Sequence, residues 1–286
     1  MHFTTSYRTV TVDGHELFYR EAGDPAAPTL VMLHGFPASS FMYRELIGEL
    51  ADRYHLVAPD HLGFGHSAAP STSEFDYSFD ALAELTAGLL DRIGIDRYAL
   101  YVQDYGAPIG FRLACARPAA VTAVITQNGN VYEEGLTPFW EPLLAYAHDG
   151  VTNADAVRAS LDDQRWVYRH GVDAQRLELL APDTWTLDQA LLDRPGNKDI
   201  QLALFRDYRF NVDRYPEFQR YLRTHRPPTL AVWGGKDEIF GPAGATAFTR
   251  DVPDAEIHIL DAGHFALETA GEQIASLVRE FLGRHA

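Results

Sequence analysis

Three residues stand where a chain would place groups meant to react: Asp104, Asp237 and His264. Each follows a short run of β-forming residues, Tyr98–Val102, Thr229–Trp233 and Ile257–Leu260, and each lies beside a glycine that permits a sharp turn. A carboxylate can attack an electrophilic carbon. An imidazole oriented by a second carboxylate can then activate water against the ester that results. Asp104 has the most specific setting, Val102-Gln103-Asp104-Tyr105-Gly106, between a strand and the helix that begins near Ala107. A strand turning directly into a helix pushes its tip residue out above the sheet, next to the positive end of the helix. This resembles a nucleophile elbow, whose tip is usually Ser within Gly-x-Ser-x-Gly. An Asp that merely caps the helix would give the same local sequence. Asp237 alone reads as a turn residue, and His264 alone as a structural histidine. Their joint placement, in the order nucleophile, acid, base, is what favours chemistry.

These three loops need a scaffold, and the chain supplies one in order. Tyr7–Val12 and Glu16–Arg20 flank Asp13-Gly14 and read as a β-hairpin. Thr29–Leu33 is a buried strand ending in His34-Gly35-Phe36-Pro37, with Ser39 or Ser40 placed to cap a helix over Phe41–Ala51. Strand His55–Ala58, the glycine-rich loop Pro59–Ser67 and a helix over Phe79–Ile93 precede the elbow, and strand Val121–Thr126 follows it. Strands alternating with helices predict an α/β fold with a mostly parallel sheet covered on both faces. From Asn128 to Arg226 the buried strands stop, and aromatic-rich, proline-punctuated helical segments take over. The alternation then resumes. The expected organisation is a core of residues 1–127 and 227–286 with a helical cap at 128–226. An insertion there lies over the carboxyl ends of the strands, where ligands bind in open α/β sheets.

The 286 residues carry a net charge of −16, which weighs against nucleic acid and anionic membranes as partners. No stretch is long and apolar enough to span a bilayer, and no leader-like segment opens the chain. With one cysteine, Cys115, no internal disulfide can form, which fits a cytoplasmic setting. The twelve histidines show no clustered ligand spacing, so neither metal nor cofactor is expected.

Taken together, His34-Gly35-Phe36-Pro37, Pro59-Asp60-x-x-Gly63-x-Gly65-x-Ser67, Val102-x-Asp104-x-Gly106, Trp233-Gly234-x-x-Asp237 and Gly263-His264 resemble the α/β-hydrolase superfamily. More narrowly they resemble its Asp-nucleophile branch, the epoxide hydrolases and the haloalkane or haloacetate dehalogenases. The resemblance implies an alkyl-enzyme ester on Asp104, with His264 as base and Asp237 as the acid orienting it; Glu238 is a fallback acid one residue late. It also implies an oxyanion hole from the backbone N–H groups of Phe36 and Tyr105, in a loop braced by His34, Gly35 and Pro37. Val102 departs from the pattern, which has a small residue there, and implies a slightly more open turn. No acid follows strand Val121–Thr126, where some dehalogenases have one.

The leaving group separates the branches. Haloalkane dehalogenases resemble His-Gly-Asn-Pro with Trp after the nucleophile, whereas Phe36 and Tyr105 stand here. The arginines of haloacetate dehalogenases are also missing after Asp104. Epoxide hydrolases use cap tyrosines as donors to the epoxide oxygen. Tyr208, in Asp207-Tyr208-Arg209-Phe210-Asn211, resembles one of them, with Tyr146 and Tyr168 competing for the second place. Packing alone is expected for at least two of Trp140, Trp166 and Trp185. The expectation is thus a cofactor-independent epoxide hydrolase acting on a small, apolar, lipophilic epoxide with water as co-substrate. The alternatives are a dehalogenase with an atypical halide site and a non-catalytic small-ligand binder. The sequence permits a homodimer without specifying one.

Overall fold

The computed structural model describes residues 4–285. Eight strands form one sheet: β1 (Ser6–Val12), β2 (His15–Ala22), β3 (Thr29–Leu33), β4 (His55–Pro59), β5 (Tyr98–Gln103), β6 (Val121–Gln127), β7 (Thr229–Gly234) and β8 (Glu256–Leu260). Their spatial order is β1-β2-β4-β3-β5-β6-β7-β8. β1 and β2 form the hairpin expected from Asp13-Gly14, and β2 pairs antiparallel with β4. All remaining pairs are parallel. Central strands β4, β5 and β7 are buried along their whole length, as strands covered on both faces must be. The outer strands β1 and β8 are mostly half-buried or exposed.

The covering helices are α1 (Arg44–Leu50), α2 (Phe79–Arg92), α3 (Gly106–Ala116) and, late in the chain, α10 (Pro242–Asp251) and α11 (Ala266–His285). α1 packs against α11, and α2 against α3. Capping fixes their starts: the Ser78 hydroxyl accepts from Ala81 N–H at the head of α2, and Ser39 accepts from Phe41 N–H ahead of α1. α11 is one helix in name, with a non-helical Ala270 marking a kink near its start.

Between β6 and β7 lie only helices: α4 (Trp140–Asp149), α5 (Ala154–Ala159), α6 (Arg165–Arg169), α7 (Pro182–Leu192), α8 (Asn197–Asp207), α9 (Arg209–His225) and short 3₁₀ turns. α4, α5, α8 and α9 pack on one another, and α9 also packs on the core helices α3 and α10. The insertion is tied to the core by polar groups as well. The Asp207 carboxylate accepts from Phe79 N–H at 2.7 Å, and Asp80 receives Arg112 and Arg214 from two sides. Among the described residues no helix is long and apolar enough to cross a membrane.

Candidate active site

Asp104 sits where β5 ends and α3 begins, with a φ of 47°, a left-handed backbone that a side-chain-bearing residue adopts at a cost. Two glycines make this turn possible. A Cβ on Gly106 would lie 2.0 Å from the Leu33 carbonyl oxygen, and one on Gly35 would lie 2.2 Å from the Asp104 Cβ. Val102, larger than the residue expected in this turn, fits because its Cγ1 occupies space that a Cβ on Gly110 would invade to within 2.6 Å. The helix therefore meets the strand closely despite Val102.

One oxygen of the Asp104 carboxylate, Oδ1, accepts the Phe36 N–H at 2.7 Å, and the carboxylate also takes a hydrogen bond from the Tyr105 N–H. The other, Oδ2, lies 3.8 Å from His264 Nε2. Burial pushes the Asp104 carboxyl up to about 6, while His264 and the two N–H groups pull it down.

His264 follows β8 and is wholly buried. Its Nδ1 is 2.9 Å from Asp237 Oδ2. Burial disfavours the imidazolium, but Asp237 and Asp104 outweigh it and raise the His264 pKa above its ordinary 6.5. Asp237, just beyond β7, is itself held in place: Oδ1 accepts Ile239 N–H at 2.8 Å, and Oδ2 accepts the Asn128 side-chain N–H at 2.7 Å. Glu238 is 70% exposed at its side chain and faces His170, so the fallback acid points away from His264.

The loop carrying Phe36 is braced from below. His34 is fully buried, its Nδ1–H donating to the Gly35 carbonyl at 3.0 Å and its Nε2 accepting His61 N–H at 3.1 Å. Burial pushes it down to about 4, so it stays neutral. Asp60 stitches the two neighbouring loops together, accepting from Ser40 N–H and His66 N–H, each at 2.7 Å. Pro37, after Phe36, lines a separate small cleft with Gly63 and Asn197.

Above Asp104 is a cavity walled chiefly by the aromatic side chains of Phe36, Tyr105, Phe139, Trp140, Trp166 and Phe205. Ser160 and Gln164 add neutral polar groups, and Asp104 is the one charged residue in the wall among the described residues. The centre of a water-sized sphere has about 40 Å³ of free space there, room for roughly three waters. The arrangement suits an apolar molecule of a few heavy atoms, held against a carboxylate oxygen.

The tyrosines favoured by the sequence do not form this wall. Tyr168 is turned away because its hydroxyl donates to Asp188 and its ring stacks on Phe265 at 4.1 Å. Tyr208 lies behind Trp140, stacked on it at 4.1 Å, with its hydroxyl paired to that of Tyr215. Tyr146 is buried in α4 outside the wall. Tyr105, expected to contribute only its backbone, lines the cavity as well, and its buried hydroxyl has no hydrogen-bond partner among the described residues. Two of the three tryptophans, Trp140 and Trp166, also line the cavity, against the expectation of packing alone; Trp185 packs beside Tyr168. Cys115 is half-buried in α3, its thiol pushed up to about 11 by burial, and takes no part.

The chain matches the family model for the alpha/beta hydrolase fold over residues 28–270. It belongs to the α/β-hydrolase family. An uncharacterized hydrolase of Saccharomyces cerevisiae, YNR064C, is 45% identical over 279 residues, covering 94% of this chain and 95% of the yeast protein. Haloalkane dehalogenase 2 of Mycobacterium tuberculosis is 30% identical over 268 residues, 90% of this chain and 88% of that protein. The crystal structure of epoxide hydrolase A from Mycobacterium thermoresistibile superposes with a TM-score of 0.78, at 24% identity over 99% of both chains, a likeness of fold. The chain is thus an α/β-hydrolase with a haloalkane dehalogenase relative and a fold shared with an epoxide hydrolase.

Two residues take roles that the sequence left undecided. Asn128 stands after β6, where some dehalogenases have an acid, and it holds both Asp237 and, through Oδ1, the Gly234 N–H at 3.0 Å. Its φ of 49° is a second sign of a fixed turn. Gln103 reaches His264 from the residue before Asp104, with Nε2 to Nε2 at 2.9 Å. For Asn128 the available signal was its place after β6. For Gln103 it was the place beside Asp104, which left open whether the side chain met backbone groups or reached into the site.

Proposed function

We propose that this α/β-hydrolase is an epoxide hydrolase that opens small, apolar epoxides through an ester on Asp104. The observation that carries this reading is the division of labour in the Asp104 carboxylate. Oδ1 is held by the Phe36 N–H, the Tyr105 N–H also donates to the carboxylate, and Oδ2 lies on the His264 side of a carboxylate that lines the apolar cavity. Oδ2 attacks an epoxide carbon, the C–O bond of the ring breaks, and a donor supplies a proton to the departing alkoxide. Tyr105 is that donor in this reading, because its hydroxyl has no other partner, whereas those of Tyr168 and Tyr208 are engaged. Water then attacks the ester carbonyl as His264 Nε2 takes its proton, and the oxyanion rests on the two N–H groups. Expulsion of the alkoxide, which recovers the proton from His264, gives the vicinal diol and leaves Asp104 as the acid, whose proton returns to the Tyr105 phenolate and so restores both residues. Asp237 orients the imidazole and stabilises its cation. No step calls for a cofactor.

A second reading, dehalogenation, is favoured by the 30%-identical mycobacterial dehalogenase and by two tryptophans in the wall. Against it, the Trp140 indole N–H is already donated to the Ile239 carbonyl at 2.9 Å. Mass spectrometry of His264→Gln protein separates the two. A gain equal to the whole of 1,2-epoxybutane, absent in the Asp104→Ala double variant, supports the epoxide reading. A gain of an alkyl group alone from 1-bromobutane supports dehalogenation, and no adduct with either supports a binder. Tyr105→Phe should slow ester formation by about 10²-fold, and Tyr168→Phe should not.

A further inference from the structure

Gln103 ends β5, is completely buried, and brings its side-chain amide to His264 with the two Nε2 atoms 2.9 Å apart. Because His264 Nδ1 faces the Asp237 carboxylate, Nδ1 carries the proton and Nε2 presents a lone pair. An amide N–H suits that lone pair. The other half of the amide, Oε1, is buried with no hydrogen-bond partner among the described residues, an arrangement that costs free energy in the resting protein. In the resting protein the lone pair that must receive a proton is therefore already occupied, and a strong acceptor stands idle beside it.

We propose that Gln103 is a positioning residue whose amide follows the proton on His264. It donates N–H to the neutral imidazole and, after a half-turn of its terminal torsion, accepts the Nε2–H of the imidazolium with Oε1. This inference rests on the ester mechanism above. When water attacks the ester carbonyl, its O–H bond breaks and the proton passes to Nε2. At that moment Asp104 is an ester rather than a free carboxylate, so the Nε2–H has lost its one anionic neighbour on that side, 3.8 Å away at rest. Oε1 takes its place until the tetrahedral intermediate expels the alkoxide and the Nε2 proton leaves with it. The terminal torsion of Gln is broad and roughly two-fold, so the exchange needs no backbone movement. Asp237, from the loop after β7, and Asp104, from the elbow, are the charged groups facing His264; Phe240 and Phe265 close its remaining sides with uncharged rings.

The test begins on substrate-free wild-type protein. The Gln103 side-chain N–H₂ signals, assigned by their loss in Gln103→Leu, are followed by nuclear magnetic resonance as His264 is titrated. They should shift with the same midpoint as the imidazole. Signals that ignore that midpoint overturn the proposal, whatever the substrate proves to be. A kinetic arm uses 1,2-epoxybutane and the ester mass on Asp104. Gln103→Leu should form the ester at close to the wild-type rate and hydrolyse it about 10²-fold more slowly. Gln103→Glu, which can only accept, should move the pH dependence of hydrolysis upward by holding His264 protonated. Equal losses in both steps for Gln103→Leu would mark a merely structural residue and overturn the proposal. If no ester forms even in His264→Gln, the assigned function fails, while the titration still decides the behaviour of Gln103.

Discussion

Gly35 and Asp104 come so close that a methyl group on Gly35 would lie 2.2 Å from the Asp104 Cβ and 2.4 Å from its Oδ1. The loop after β3 and the elbow after β5 can share the carboxylate only because one of them has no side chain. Gly35→Ala must therefore displace either the Phe36 N–H or Asp104. It should destabilise the protein by about 3 kcal/mol and cut turnover of any accepted substrate by about 10²-fold or more. Thermal unfolding and steady-state kinetics on the same preparation check both.

Asp104 carries a strained backbone and a desolvated carboxyl, so its removal should stabilise the fold as it abolishes turnover. Burial raises its pKa from 3.8 to about 6, so the folded chain binds this proton more tightly than the unfolded one. Its contribution to stability is complete below pH 3.8 and is lost as pH rises through 6. Asp104→Gly should accordingly be inactive and more stable by about 1–3 kcal/mol, with the larger gain above pH 6. Denaturant midpoints measured on either side of that pH check the sign.

Asn128 holds Asp237 through one end of its amide and the Gly234 N–H through the other, from a left-handed backbone. Asn128→Gly keeps the backbone freedom and removes both bonds, while Asn128→Ala removes the bonds and adds strain. Both should lower turnover by about 10²-fold as Asp237 and His264 lose their alignment. Only Asn128→Ala should also lose about 1 kcal/mol or more of stability for the disfavoured φ. Equal melting temperatures for the two variants would contradict this.

Asp188, in α7, is buried beside Tyr168 and within reach of the charges of Glu268 and Asp60, and burial pushes its carboxyl up to about 8. The folded pKa again lies above the unfolded 3.8, so its stabilising contribution fades as pH rises through 8. Wild-type protein should lose thermal stability on passing from neutral to alkaline pH. Asp188→Asn, which keeps the shape of the protonated acid, should show a flatter profile over that range. A melting series across pH reads the difference directly.

The strands, the covering helices and the three loops bearing Asp104, Asp237 and His264 were legible in the sequence, because each rests on short-range rules. Buried parallel strands are written as continuous apolar runs, Asp13-Gly14 as a hairpin turn, and Gly106 as a strand meeting a helix. The order of the three loops followed from chain order alone. Which neighbours those residues would acquire did not. Asn128 meets Asp237 across 109 positions of sequence, and Gln103 meets His264 across 161. A polar side chain carries no mark of the distant group that will satisfy it. The tyrosines failed for the same reason. Tyr168 was drawn off by Asp188 and Tyr208 by Tyr215 and Trp140, while Tyr105, at the elbow itself, lines the cavity with its hydroxyl unpaired among the described residues. Sequence sets which residues can react and on which strand ends they stand, because turns and periodicity are local. Only the packed insertion decides which hydroxyl is left free, because hydrogen-bond partners are assigned by proximity in space.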